Sequence, residues 1–401
     1  MGKNVRACVL NCLDKIINDK AYSNIVLQND LDGLSSADKR LATTIIYGTL
    51  QNYRLLRYQW AHMVKKMPGK RIGILIDMSV YQLLMMDKIP SYAIVNEANL
   101  LAGKYKSFVN AILHNVMDQG LVYGSDDVNL SVEKWLYEMF LAHYGKDKAN
   151  SILKSYLDKA ILYGRINSLV CTKDDFKDQK FIDDKMFIVT NDLLNSEMFK
   201  KGMFVIQDKG GSKIIDSLDL KEGLQVLDLC SAPGTKACQM AMIMNDKGHI
   251  DAFDLYESRL SLIKENTRKL NIHIIDTKVN DASIEVQELF DKYDRILVDA
   301  PCSGLGVLRR KPDIKLNIQP EDLDNIITLQ KQILNNAAKY LKVNGIMVYS
   351  TCTLNKKENE RQIQSFLAER PDYSLVSQRT IFPFEFDSDG FFVAKLWRNG
   401  L

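Results

Sequence analysis

The chain has 401 residues, 46% hydrophobic and 26% charged, which is ample for two or three domains with their own cores and ordinary for a globular protein. Its seven irregularly spaced cysteines and the want of a secretory leader exclude a disulfide framework and predict a soluble protein of the reducing cytoplasm. No apolar run reaches the length of a membrane span, since RIGILIDMSVYQLLMMDK is interrupted by Asp77, so no membrane partner is expected.

Residues 4–119 read as helices throughout. VRACVLNCLDKII, ADKRLATTIIYGTLQNYRLLRYQWAHMV, IGILIDMSVYQLLMM and AIVNEANLLAGKY repeat apolar residues at three- and four-residue spacing. Breaks fall at Asp32-Gly33, Pro68-Gly69 and Pro90-Ser91. Cys8 and Cys12 share one helical face with no second ligand pair after them, which predicts packing and no metal. Residues 1–128 carry 15 Lys and Arg against 11 Asp and Glu, whereas the whole chain has net charge +3, so the small basic excess sits in the first domain. Such an excess suits phosphate contacts and equally suits solvated helix faces.

The pattern lapses around Gly120–Leu130, a linker candidate. Two further helices and the short strands RINSLV, KMFIVT and MFVIQD then form a small α+β segment over 129–204. From about Gly223 the chain alternates strand, loop and helix. LQVLDL, HIDAFDL, HIIDTKV, DRILVDA and GIMVYSTC are predicted strands of a parallel, doubly wound sheet, with ligands expected at their carboxyl ends.

The first of these strands runs into LDLCSAPGTKA. A dinucleotide fold would place three glycines here to cradle a pyrophosphate; this loop has one, Gly234, with a proline before it. It fits a nucleoside without phosphates, of which S-adenosylmethionine is the common one. Asp254 follows Gly234 by twenty residues, the spacing at which an acid reaches ribose hydroxyls, and Asp281 is placed for an adenine amino edge. With Asp299 these acids close three strands of one sheet, a pattern that favours a pocket over three unrelated surface carboxylates.

Cys302 in VDAPCSG and Cys352 in YSTCT each follow an apolar strand, so both thiols are expected at the same sheet edge. A positioned thiolate, an acid and a methyl donor together make a mechanism, because C5 of a cytosine becomes nucleophilic once a thiolate has added to C6. Cys352 precedes a helix predicted to start near Lys356, whose N-terminus would favour the thiolate. The residues alone give Cys302 almost equal claim as the nucleophile. Cys171 and Cys238 are expected to pack, and His249 and His273, at strand starts, have no assigned role.

The pieces CSAPGTK, DAPCSGLGVLRRKPD, YSTCTLNKKENE and DGFFVAKL, in that order, resemble the Sun/nucleolar-protein family of RNA cytosine-5 methyltransferases. RIN and GMFVIQD are similar to the segment before the family's catalytic core. IIYGTLQNYRLL and KSFVNAILHNV resemble a NusB-like antitermination module, and the bacterial enzymes for small-subunit ribosomal RNA are the nearest branch. The resemblance implies a multi-domain chain: an all-α NusB-like domain over 1–128, the small α+β RNA-binding segment over 129–204, and a Rossmann-like class I methyltransferase over 205–401.

It further implies S-adenosylmethionine on Cys230, Ser231, Ala232, Pro233, Gly234, Thr235 and Lys236 with Asp254, Asp281 and Asp299. Cys352 is the implied nucleophile, Cys302 assists breakdown of the covalent adduct, and Asp299 holds the cytosine N3/N4 edge. CSAPGTK departs from the family's more usual CAAPGGK, with small residues kept at both changed positions. The implied product is 5-methylcytidine in 16S ribosomal RNA, made by a monomer. Transfer RNA or large-subunit RNA as substrate, and a non-catalytic RNA-binding protein, are the alternatives. A target base must leave its stack to reach a thiolate. Arg309, Arg310 and Lys311 are expected on flanking phosphates, with Arg165 and Asn167 on the opposite wall; Lys65, Lys66, Lys70 and Arg71 form a further basic cluster.

Overall fold

A computed structural model describes residues 4–400. The chain forms two compact units, one of residues 1–159 with 308–318, the other of 160–307 with 319–401. The first is helical, with main helices at Val5–Asn18, Ser36–Gln51, Lys70–Met85, Ser91–Ala102 and Lys106–Gln119. Side-chain caps start the first two: the Asn4 side chain accepts from Ala7 N at 2.9 Å, and the Ser35 hydroxyl from Asp38 N at 3.1 Å. Their apolar stripes meet in one core around Leu13, Ile16, Ile45 and Trp60. Asp77, buried inside that core, accepts from Trp60 Nε1 at 2.8 Å and from Arg57. A buried carboxylate is tolerated only with such partners.

The helices Lys134–Tyr144 and Lys146–Ser155 belong to this unit, so the division falls near residue 160, whereas the lapse in helical pattern pointed to a boundary at 128. Arg54 explains the attachment, with Nη2 3.0 Å from Asp127 and its backbone N–H 2.9 Å from the Ser131 hydroxyl.

The 11 residues 308–318, which follow the Cys302 motif in sequence, also belong to the helical unit. Asp313 accepts from Ser23 at 2.5 Å, buried Lys315 donates to Gln51 O at 2.6 Å, and Arg309 Nε donates to Asp158 O at 3.1 Å.

The second unit begins with a three-stranded antiparallel sheet of β1 (Tyr163–Ile166), β2 (Met186–Ile188) and β3 (Phe204–Ile206), with β1 central. The larger sheet comprises β4 (Gln225–Asp228), β5 (His249–Asp254), β6 (Ile275–Val279), β7 (Tyr293–Asp299), β8 (Leu341–Thr351), β9 (Tyr373–Ile381) and β10 (Phe391–Arg398). Its order is β6-β5-β4-β7-β8-β10-β9, with parallel pairing from β6 to β8. The five read strands are present, and β10 adds itself antiparallel to β8 and β9. The helices Thr235–Ile243, Glu257–Leu270 and Pro320–Tyr340 are crossovers between parallel strands. Chain direction across the sheet reverses between β4 and β7. Open α/β sheets take their ligands at such a switch point, and Asp228 and Asp299 end the two strands that flank it.

Candidate active site

The donor half is built on the turn that leaves β4. Gly234 sits at φ 91°, and a Cβ there would lie 2.9 Å from Ile263 Cγ2, so the turn into the helix Thr235–Ile243 needs glycine twice over. Asp254, ending β5, holds the turn through Ala232 N at 3.1 Å, and its other oxygen has Arg259 Nη1 at 3.1 Å, off hydrogen-bond geometry. Asp281 is shaped by Ser283, which donates from N at 2.9 Å and Oγ at 2.6 Å. Asp299, ending β7, takes Lys236 Nζ at 2.5 Å on one oxygen and Ser350 Oγ at 2.7 Å on the other. Burial works against the charge on Lys236, but the Asp299 carboxylate outweighs it and leaves the pKa raised.

Sequence reading passed over Asp228. Both its oxygens and the Ser231 hydroxyl are buried without a hydrogen-bond partner. Burial pushes the Asp228 carboxyl up to about 7; Ser231 lies close enough to temper the shift, and the Asp299 charge adds to it. Unmet buried acceptors are costly, so a cluster of them marks where a ligand's donors go. S-adenosylmethionine offers donors of that kind in its ammonium, ribose hydroxyls and adenine amine. The residues present therefore fit it, and a single-glycine loop suits a ligand without phosphates. Cys230 borders this loop with its thiol pushed well up by burial.

The thiol half lies on the loops after β7 and β8. Cys302 Sγ and Cys352 Sγ are 3.2 Å apart, each partly exposed. Contact with Cys352 and then burial raise the Cys302 pKa well above the ordinary thiol value. Behind Cys352, Gly306 N donates to Cys352 O at 2.9 Å and Gly390 N donates to Gly306 O at 2.8 Å. A Cβ on Gly306 would stand 2.1 Å from Gly390 O, so three backbones meet there only because the residue is glycine.

Fully buried Glu358 accepts from Ser303 N at 2.9 Å, Ser303 Oγ at 2.5 Å, Asn355 Nδ2 at 3.0 Å and Gln330 Nε2 at 3.0 Å. The helix expected near Lys356 starts instead at Glu360. The intervening residues are used up in tying the loop: Asn359 accepts from Thr351 Oγ1 at 2.6 Å and donates to Thr353 O at 2.9 Å. No helix N-terminus therefore begins at position 356 to act on Cys352.

These features have counterparts in known proteins. Residues 215–397 match the family described as 16S rRNA methyltransferase RsmB/F, and residues 3–118 match the NusB family. Over 99% of its length the chain is 31% identical to the probable ribosomal RNA small subunit methyltransferase B of Bacillus subtilis (strain 168), covering 99% of that protein. The chain belongs to the RsmB/F methyltransferase family. Ribosomal RNA small subunit methyltransferase B of Yersinia enterocolitica is 29% identical, with 98% of each chain covered.

Among solved structures, PH0851 has the same fold, at TM-score 0.80 and 20% identity over 99% of both chains. NSun6 from Pyrococcus horikoshii, solved with SFG, matches 67% of this chain and 99% of its own at TM-score 0.60 and 21% identity. S-adenosylmethionine is the methyl donor of this RsmB/F chain, and no helix among the described residues is long and apolar enough to cross a membrane.

The residues expected on RNA fall in both units. Arg165 and Asn167 lie on and just after β1, a central strand whose four residues are all buried. Arg165 Nε donates to Gln207 Oε1 at 2.6 Å, and Asn167 Nδ2 donates to Gly202 O at 3.0 Å and Leu270 O at 2.9 Å, so the fully buried Asn167 is held by the fold and one edge of the Arg165 guanidinium is engaged within it. Arg309 is likewise buried, on the carbonyls of Asp158 and Lys159. Arg310 is half-buried, and Lys311 is the one residue of the three that is exposed.

Proposed function

We propose that this RsmB/F methyltransferase forms 5-methylcytidine in 16S ribosomal RNA, in the cytoplasm, through a covalent bond between Cys352 and C6 of the target cytosine. The observation that supports this reading most is the Cys302–Cys352 pair, 3.2 Å apart on the loops after β7 and β8. Full-length relatives named for small-subunit RNA support the substrate.

When bound, S-adenosylmethionine supplies an electrophilic methyl carbon; Asp228, the loop Cys230–Lys236, Asp254, Asp281 and Asp299 would hold it. The work of the chain's own residues is as follows. Cys352, as thiolate, adds to C6 and raises the electron density at C5. Asp299, steadied by Lys236 and Ser350, accepts from the cytosine exocyclic amine and fixes the ring's orientation. After C5 has gained its methyl group, the C5 proton passes to solvent as the ring double bond re-forms, and Cys352 leaves C6 as the thiolate. Cys302 stays protonated beside it, because the contact with Cys352 and burial both raise its pKa, and its S–H donates a hydrogen bond to the leaving Cys352 thiolate.

The test is incubation with methyl-labelled donor and unmodified 16S ribosomal RNA, transfer RNA or 23S ribosomal RNA, followed by nucleoside analysis. The expected result is label in 5-methylcytidine from 16S RNA alone. Label only in another RNA, or on another nucleoside, contradicts the reading.

A further inference from the structure

Glu358 presents an unusual problem for a folded protein. A carboxylate taken wholly out of water has to recover its lost hydration from other groups, and a nearby cation is the common solution. Glu358 is fully buried, and its partners are all neutral donors. Charge-assisted bonds to such donors are short and strong, so the arrangement holds whatever segments supply them.

Those segments are informative. Ser303, next to Cys302 in sequence, donates from both its backbone N–H at 2.9 Å and its hydroxyl at 2.5 Å. Ser303 Oγ lies 2.7 Å from Thr353 Oγ1, next to Cys352, and Thr353 Oγ1 is itself 3.4 Å from the carboxylate. Asn355 Nδ2 donates to the same carboxylate from the loop after β8 at 3.0 Å. Gln330, on the helix Pro320–Tyr340, donates to Glu358 at 3.0 Å and to Pro301 O, also at 3.0 Å, which ties the residue before Cys302 to the same centre. One carboxylate thus gathers the immediate neighbours of both thiols.

We propose that Glu358 is a positioning residue for the thiol pair: it locks the loops after β7 and β8 in the one register that brings Cys302 into contact with Cys352. This rests on the reading of those two thiols as the reacting pair. Glu358 touches neither sulfur, donor nor base, and acts through Ser303 and Thr353. Its negative charge has a second effect, since it adds to the cost of ionising Cys302 and so reserves the thiolate for Cys352. The charged or titratable groups that act on or feel Cys302 are Cys352, Glu358 and the buried Tyr349, whose hydroxyl donates to Glu358 O at 2.8 Å.

The test is Glu358→Gln in the full chain, an isosteric change that puts an amide donor against the donors it must accept from. Methyl transfer is expected to fall about ten- to a hundredfold in kcat, with KM for S-adenosylmethionine within about twofold, because a misplaced reacting group costs rate before it costs donor binding. Alkylation of Cys302 by iodoacetamide, followed by mass spectrometry against pH, is expected to shift to lower pH. A role confined to stability would leave that profile in place. A folded variant with wild-type kcat and an unmoved Cys302 profile overturns the proposal.

Should Glu358→Gln not fold, Ser303→Ala carries the test. It removes the hydroxyl link and keeps the backbone one, so about a fivefold loss in kcat with unchanged donor KM is expected, and no loss overturns the proposal. If the wild type transfers no methyl group to RNA, the reading of the thiols as the reacting pair fails. The alkylation profile needs no RNA and still decides whether Glu358 sets the thiol pair.

Discussion

The two halves of the site are finished by different means. Around the donor loop, Asp228 and Ser231 keep buried polar atoms without partners, so the protein leaves that half for a ligand to complete. Around the thiols, Glu358 accepts from Ser303, Asn355 and Gln330, and Asn359 joins Thr351 to Thr353. That half is tied together by the chain's own groups, with Gln330 Oε1 its one network atom left buried without a partner. In the proposed mechanism the difference matches the work of each half: a donor enters and leaves on every turnover, whereas two sulfurs stand in place when a base arrives.

The comparison breaks most sharply at Cys352. Cys352→Ala is expected to lower methyl transfer by at least about a thousandfold while calorimetric donor affinity stays within about twofold. A parallel loss of donor binding would mean that the halves are not separable.

Asp228→Asn probes the other half. The Asp228 carboxyl stays neutral in the fold up to about 7, whereas an ordinary Asp ionises near ~3.9. Between those values the folded state binds the extra proton, so stability falls as pH rises through the window, by up to ~4 kcal/mol. The asparagine variant escapes this loss. Without donor it is expected to melt several degrees higher than wild type near pH ~8 and to differ little near pH ~4, while donor affinity falls about tenfold or more. By the same sign, wild-type donor affinity is expected to rise with pH toward about 7 as the carboxylate forms, and the variant to lose that slope.

The smallest effects separate structure from RNA contact. Arg309→Ala is expected to destabilise the helical unit by about 2 kcal/mol in denaturant melts, because its guanidinium is buried on two backbone carbonyls. Lys311→Ala, on an exposed side chain, is expected to leave stability alone and to reduce the salt slope of RNA binding by about 1.

Which of these features showed in the sequence follows from how local each one is. The strands β4, β5, β7 and β8 are apolar runs ended by an acid or a small polar residue, so they and the acids at their ends could be read directly. β9 could not, because six of its nine residues are exposed and its polar run SLVSQRT has no apolar alternation. The motif cysteines declared themselves, whereas Glu358 sits in KKENE and looks like a solvated charge at a helix start. Only the turn of the chain over Lys356–Asn359 buries it. Arg309 and Asn167 were misjudged for the same reason: a basic or polar residue near a motif reads as a contact until tertiary packing encloses it. Asp228 carried a usable signal, being an acid at a predicted strand end like Asp254 and Asp299.

Covalent trapping tests the central claim most directly. Cys302→Ala and Cys352→Ala are each incubated with S-adenosylmethionine and 16S ribosomal RNA, and protein–RNA adducts are resolved on denaturing gels. Cys302→Ala should accumulate an adduct whose peptide link maps to Cys352, and Cys352→Ala should form none. An adduct from Cys352→Ala mapping to Cys302 would reverse the two roles, and no adduct from either variant would contradict the covalent route.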